Sequence, residues 1–196
     1  LLGIARDTIV VFCSDHGDMH FSHAVPGSVV EPSKKRVIYE EAVRVPFYVR
    51  YPARVRARLP SDALIGAIDV LPTLLGLAGI SIPEDLTGID FSPYLRGESQ
   101  ERPSSVYCGM VEPNNQQPLG LPWRGVVARF EDDQGTSEWS YQIGEKAKYE
   151  WLFDNTTDPF QMRNLVGLPQ HEALRLELLG RTVQYAQELG DPFDFD

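Results

Sequence analysis

The feature that most constrains this chain is residues 8–23, "TIVVFCSDHGDMHFSH". Thr8 to Cys13 is a continuous β-branched and aromatic run with no polar alternation, which suits a strand buried on both faces of a parallel sheet. It runs straight into Asp15, His16, Gly17 and Asp18, and His20 and His23 follow. In open α/β sheets ligands gather at the carboxyl ends of such strands, where Asp15 and His16 fall. A carboxylate and an imidazole on adjacent residues can face one divalent cation if the turn is tight, and Gly17 permits that turn. Residue types alone leave two readings open: a metal-ligand pair, or a turn capped by Asp15 and Asp18 with His16 hydrogen-bonded beside them.

Further along, "VRVPFYVRY" at 43–51 predicts a second strand, with Pro46 pointing to an edge or an irregular start. Residues 65–79 predict a helix with Ile68, Leu71, Leu75 and Ala78 on its apolar face, Pro72 in its first turn and Gly79 as its stop. Short strands are expected at 105–110, 123–130, 139–143 and 148–153, and together they read as an antiparallel sheet. A last helix over 172–189 carries Leu176, Leu179, Val183 and Ala186 on one face. The organisation is parallel-sheet material in residues 1–100, followed by a small antiparallel subdomain with a terminal helix in residues 101–196.

With 196 residues, the chain can bury one sizeable core, or one core plus a small appendage. Its formal charge of −10 argues against a phosphate-backbone binder, so no nucleic-acid partner is expected. Basic residues cluster locally, at 34–36 and 50–58, and could still hold a small anion. No apolar run approaches the roughly 18 residues of a membrane span, so no membrane partner is expected. Cys13 and Cys108 form no Cys-x-x-Cys, and the compartment stays open. The chain opens on "LLGIARDT" without a methionine, as though inside a helix, which predicts a C-terminal piece of a longer protein.

"TIVVFCSDHGDM", "SH" at 22–23 and "KKRVIYEEAVRVPFYVRYP" resemble, in order, the C-terminal half of the type I, arylsulfatase-like sulfatases of the alkaline phosphatase superfamily. The resemblance continues through "IDVLPTLLGLAGISIPEDLTGIDFSPYLRGE", "WRGVVARF" and "YEWLFDNTTDPFQMRNLVG", the last similar to a closing Asp-Pro-x-Glu-x-x-Asn-Leu pattern. It implies an α/β fold, the C-terminal part of an alkaline-phosphatase-like sandwich followed by the small antiparallel sheet and helix. The function it implies is hydrolysis of sulfate esters, on a small molecule or a glycan. Its cofactors would be a divalent metal and a formylglycine in the missing N-terminal part.

By the same resemblance, Asp15 and His16 match the second pair of metal ligands. Where many members have Asn and bind calcium, the imidazole shifts the expectation toward manganese or zinc. Lys35, four residues before Tyr39-Glu40-Glu41, matches the lysine that contacts the sulfate oxygens, with Lys34 as its alternative. His23 matches the second histidine of the pattern, which would orient substrate or give a proton to the leaving group; a plain surface histidine is the other reading. Phe21 and Ala24 replace usual glycines. Tyr39, Glu40 and Glu41 are expected to orient their segment and pair with Arg44 or Arg36. Arg124 is expected in a surface ion pair, and Asp154 and Asp158 as turn caps.

The family's Cys-x-Pro-x-Arg or Ser-x-Pro-x-Arg nucleophile motif has no counterpart here; the nearest imitation is "ERPSS" at 101–105. The chain would thus carry half an active site, be inactive alone, and need the N-terminal half of the same protein as partner. Two alternatives stand beside this reading: a phosphonate monoesterase or phosphodiesterase of the same superfamily, and a noncatalytic anion-binding relic.

Overall fold

A computed structural model describes residues 2–20, 22–23, 37–56, 61–111, 122–133 and 135–196. The chain forms two compact units, Leu1–Asp15 with Pro46–Pro103, and His16–Val45 with Ser104–Asp196.

In the first unit, β1 (Val10–Cys13) pairs antiparallel with β2 (Phe47–Arg50), placing Val10 opposite Arg50 and Cys13 opposite Phe47. This departs from the parallel, doubly covered strand that the apolar run predicts. Among the described residues the sheet has two strands, and Val10, Phe12 and Cys13 are exposed. The second strand is also shorter than its sequence suggests. Glu40–Val43 is a helical turn, α1, and the ladder begins only after Pro46, which has no N–H to give it.

Helix α2 (Ala67–Ala78) starts where the Asp69 carboxylate accepts the Gly66 N–H at 2.7 Å. It stops at Gly79, whose φ of 74° turns the Ile80 N–H back onto the Leu75 carbonyl at 2.9 Å. Pro72 therefore lies in the second turn rather than the first. The buried face differs from the predicted one as well. It carries Asp69, Pro72, Thr73 and Leu77, while Ile68 and Leu71 are each 52% exposed. The cause is polar. Asp69 Oδ1 accepts the Ile89 N–H (2.8 Å) and Thr73 Oγ1 accepts the Phe91 N–H (3.0 Å), so the strapping segment 88–92 selects this side. A short helix, α3 (Ser92–Arg96), follows.

The second unit is built on an antiparallel sheet of order β3 (Ser105–Met110), β4 (Trp123–Asp132), β5 (Gly135–Gly144) and β6 (Glu150–Asp154). Helix α4 (Glu172–Glu188) covers one face. Val126, Ala128, Tyr141, Ile143 and Leu152 meet Leu178 there. Strand alternation sends Phe153 to the opposite face, where it packs with Met19, Val37, Tyr39 and Ala42. Met19 and residues 37–42 thus pack on the second face of this sheet. On α4 the buried residues are Leu178, Thr182 and Ala186, and Leu176 is exposed, so the apolar face sits beside the predicted one. Thr182 fits the interior because its hydroxyl donates to the Leu178 carbonyl at 2.8 Å. Among the described residues no helix is long and apolar enough to cross a membrane.

Candidate functional site

Asp15 follows β1 and closes the first stretch of the first unit; His16, its chain neighbour, opens the second unit. His16 Nδ1 lies 2.7 Å from the Gly17 carbonyl oxygen. In that contact Nδ1 donates to the carbonyl, the arrangement by which a backbone acceptor orients a metal-binding imidazole. Gly17 is required by close approach. Its N–H donates to Ala42 O at 2.9 Å, and an added Cβ would sit 1.9 Å from the Glu41 carbonyl oxygen. Gly17 and the Tyr-Glu-Glu-Ala segment are therefore packed together, not two separate motifs. Among the described residues no three His, Cys, Asp or Glu side chains converge on a cation. An oriented imidazole such as that of His16 fits one ligand of a larger shell. Lys34 and Lys35 lie outside the described residues.

His20 is exposed, with its backbone N–H on Asp18 Oδ1 at 2.8 Å, so Asp18 caps a turn. His23 differs from a surface histidine. Its side chain is 8% exposed, its Nε2 lies 3.8 Å from Glu41 Oε1, and its ring stacks on Tyr39 at 4.0 Å and 19°. Burial, and then the Glu41 charge, push the Tyr39 hydroxyl up to about 12, so it stays protonated at neutral pH.

Glu40 binds Arg44 (3.2 Å) and receives the Asn155 side-chain N–H (3.2 Å), while its own N–H donates to Gln161 Oε1 at 2.7 Å. Gln161 in turn donates to Asn155, and Asn155 to Ser140. Burial raises the Glu40 carboxyl above its usual range, against the Arg44 hydrogen bond that lowers it. Gln161 stands where the closing pattern of the sequence has Glu, and a neutral side chain suits a position against Glu40. The Ile38 N–H reaches Gln142 Oε1 at 2.9 Å. Gln142, Asn155 and Gln161 thus hold the 37–43 segment from the sheet side. Only the Gln161 substitution gave a sequence signal for this network.

Asp154 accepts the N–H groups of Thr156 and Thr157, and Asp158 that of Arg163, so both cap turns. The expected surface ion pair of Arg124 is a buried one. Arg124 grips Asp191 through Nε and through Nη2 (2.8 Å), the Tyr107 hydroxyl donates to the same carboxylate (2.9 Å), and the Phe193 ring lies 4.7 Å from the guanidinium. The C-terminal segment folds over β4 and removes the pair from water.

Residues 33–188 match the model of the N-sulphoglucosamine sulphohydrolase C-terminal family. The chain belongs to that family. It is 34% identical over 193 residues to an ulvan-active sulfatase of Formosa agariphila, covering 98% of this chain and 35% of that protein. An endo-4-O-sulfatase of Bacteroides thetaiotaomicron is 29% identical over 203 residues, covering 98% of this chain and 38% of the relative. A solved 2-O GAG sulfatase superposes with a TM-score of 0.72 at 27% identity, over 97% of this chain and 40% of its own. The fold is therefore that of the C-terminal part of the alkaline-phosphatase-like sulfatases, α/β with a four-stranded antiparallel sheet and a C-terminal helix. The chain spans little more than a third of these relatives.

Proposed function

We propose that this chain completes the cation site and handles the leaving group of a metal-dependent sulfatase, whose parent enzyme hydrolyses sulfate esters on a glycan. The carrying observation is the seat of His16: Nδ1 on the Gly17 carbonyl, and Gly17 locked against Glu41 and Ala42, in a chain of the sulphohydrolase family. Asp15 and His16 Nε2 would hold a divalent cation, and the imidazole favours manganese or zinc over calcium. Bound there, the cation would polarise sulfate oxygens as a Lewis acid.

The other roles follow from chemistry. Lys35, or Lys34 in its place, sets an ammonium against the charge that builds on the transferring group. His23 gives a proton to the leaving oxygen. A formylglycine nucleophile and the remaining cation ligands are assigned to parent polypeptide outside this chain, whose body would also cover the open β1–β2 face. Residues 1–100 are assigned to the catalytic α/β domain and 101–196 to the small subdomain. Support for a glycan comes from the relatives, which are named for ulvan, for 4-O-sulfate and for a GAG 2-O-sulfate.

The test uses the parent enzyme with sulfated oligosaccharides. His16→Ala and Lys35→Ala should each cut sulfate release by about 10²-fold or more, and His16→Ala should also lower bound metal. The 196-residue chain alone should release none. Full activity in His16→Ala, or a parent that prefers phosphonate or phosphodiester substrates, overturns the reading.

A further inference from the structure

His23 is held more firmly than a leaving-group donor on an exposed loop would need. Its backbone sits at φ 60°, a left-handed conformation that side chains other than glycine adopt at a cost, and such strain persists only where surroundings impose it. Two groups impose it here. Tyr39 lies flat beneath the imidazole, and Trp151 and Phe153 back Tyr39 with ring centroids at 5.3 and 5.4 Å. Glu41 supplies the second constraint, from the first turn of α1, with Oε1 3.8 Å from His23 Nε2. Its other oxygen, Oε2, is buried with no hydrogen-bond partner among the described residues. A carboxylate in that state is costly to keep unless a cation faces it. The Gly17 contact fixes the Glu41 backbone, so the carboxylate cannot easily move away from the ring.

We propose that Glu41 is a positioning residue for His23: it aims the imidazole across the Tyr39 ring. The proposal rests on the role given to His23 above. With Nε2 directed at Glu41, Nδ1 is the nitrogen assigned to the leaving oxygen. As the S–O bond breaks, its electron pair goes to that oxygen and the Nδ1 proton follows, leaving a neutral imidazole opposite the Glu41 carboxylate. Glu41 touches no reacting atom. The pairing joins a histidine and a glutamate far apart in the chain, with no motif spacing between them.

The test is made in the parent enzyme with two substrates, a sugar sulfate whose alkoxide is a poor leaving group and an aryl sulfate whose phenoxide departs without a proton. Glu41→Gln keeps the size and removes the charge. It should lower kcat on the sugar sulfate about tenfold or more, with KM within about twofold, and leave the aryl sulfate nearly unchanged. Glu41→Asp should recover part of the loss. The double variant Glu41→Gln/His23→Ala should be no worse than His23→Ala alone, because both act through one imidazole. A merely structural glutamate would depress both substrates alike and add to the His23→Ala effect, and that result overturns the proposal. If His23→Ala shows the leaving-group-selective loss and Glu41→Gln does not, the Glu41 role falls and that of His23 stands. If neither shows it, the His23 assignment is wrong and this one falls with it. Should Glu41→Gln fail to fold, Glu41→Asp decides: a selective loss upholds the role, and an equal loss on both substrates overturns it.

Discussion

The two units put their apolar sequence to different ends. In the second, the β3–β6 sheet is covered by α4 on one face and by Met19 and residues 37–42 on the other, and both apolar clusters of the described residues lie there. In the first, the β1–β2 ribbon presents Phe12 at 63% and Tyr48 at 67% exposure, and α2 leaves Ile68 and Leu71 open. A two-stranded ribbon buries too little to be stable by itself, whereas a four-stranded sheet with a layer on each face has a core of its own. The comparison teaches where stability resides: in the second unit, with the strands of the first depending on what covers them.

The largest effect that could break this comparison is Asp191→Ala. It leaves the Arg124 guanidinium buried without its carboxylate, at a cost of about 3–5 kcal/mol in denaturant unfolding of the second unit. A loss under about 1 kcal/mol would mean that the C-terminal clasp does not anchor this unit. The same pair has a pH signature. The Arg124 hydrogen bonds hold the Asp191 carboxyl below its ordinary value of 3.8, with Tyr107 helping and burial opposing. The folded state therefore binds fewer protons there than the unfolded state. Its stabilisation is present above the unfolded value and is lost as pH falls below about 4 toward the folded one. Asp191→Asn should flatten that acid limb.

Next in size is Leu178→Ala, which empties the centre of the α4–sheet core and should cost about 2–5 kcal/mol. The smallest effect sharpens the contrast. Phe12→Ser in this chain should stay within about 0.5 kcal/mol of the wild type and improve solubility, since the ring has little to lose. In the parent enzyme, where we propose that further polypeptide covers this face, the same substitution should cost about 3 kcal/mol or more. Equal cost in both settings would show that the face is not open in the chain or not covered in the parent.

Local pattern carried the strands of the second unit. Residues 105–110 form β3 as expected, and the alternating runs after it pair in order. Helix faces were less legible. Counting apolar residues on α2 picks Ile68 and Leu71, but the buried side is chosen by Asp69 and Thr73, which accept N–H groups from residues 89 and 91. On α4 a buried threonine conceals the face in the same way. Asp15 and His16 stand out because they follow a strong strand; Gly17 reads as permitting a tight turn, whereas the structure needs it for the close approach of the Glu41 carbonyl. Glu41 could not be found by spacing, since no local pattern relates it to His23.

The sequence by itself determined the family, through the resemblance of its motifs, and the antiparallel strands and last helix of the second unit, because alternation and helical spacing are short-range patterns. The tertiary structure alone decided that Met19 and residues 37–42 pack on the second unit's sheet, that Arg124 is buried with Asp191, and that His23 lies between Tyr39 and Glu41. Those outcomes depend on which distant donor meets which acceptor once water is excluded, and no local pattern records that choice.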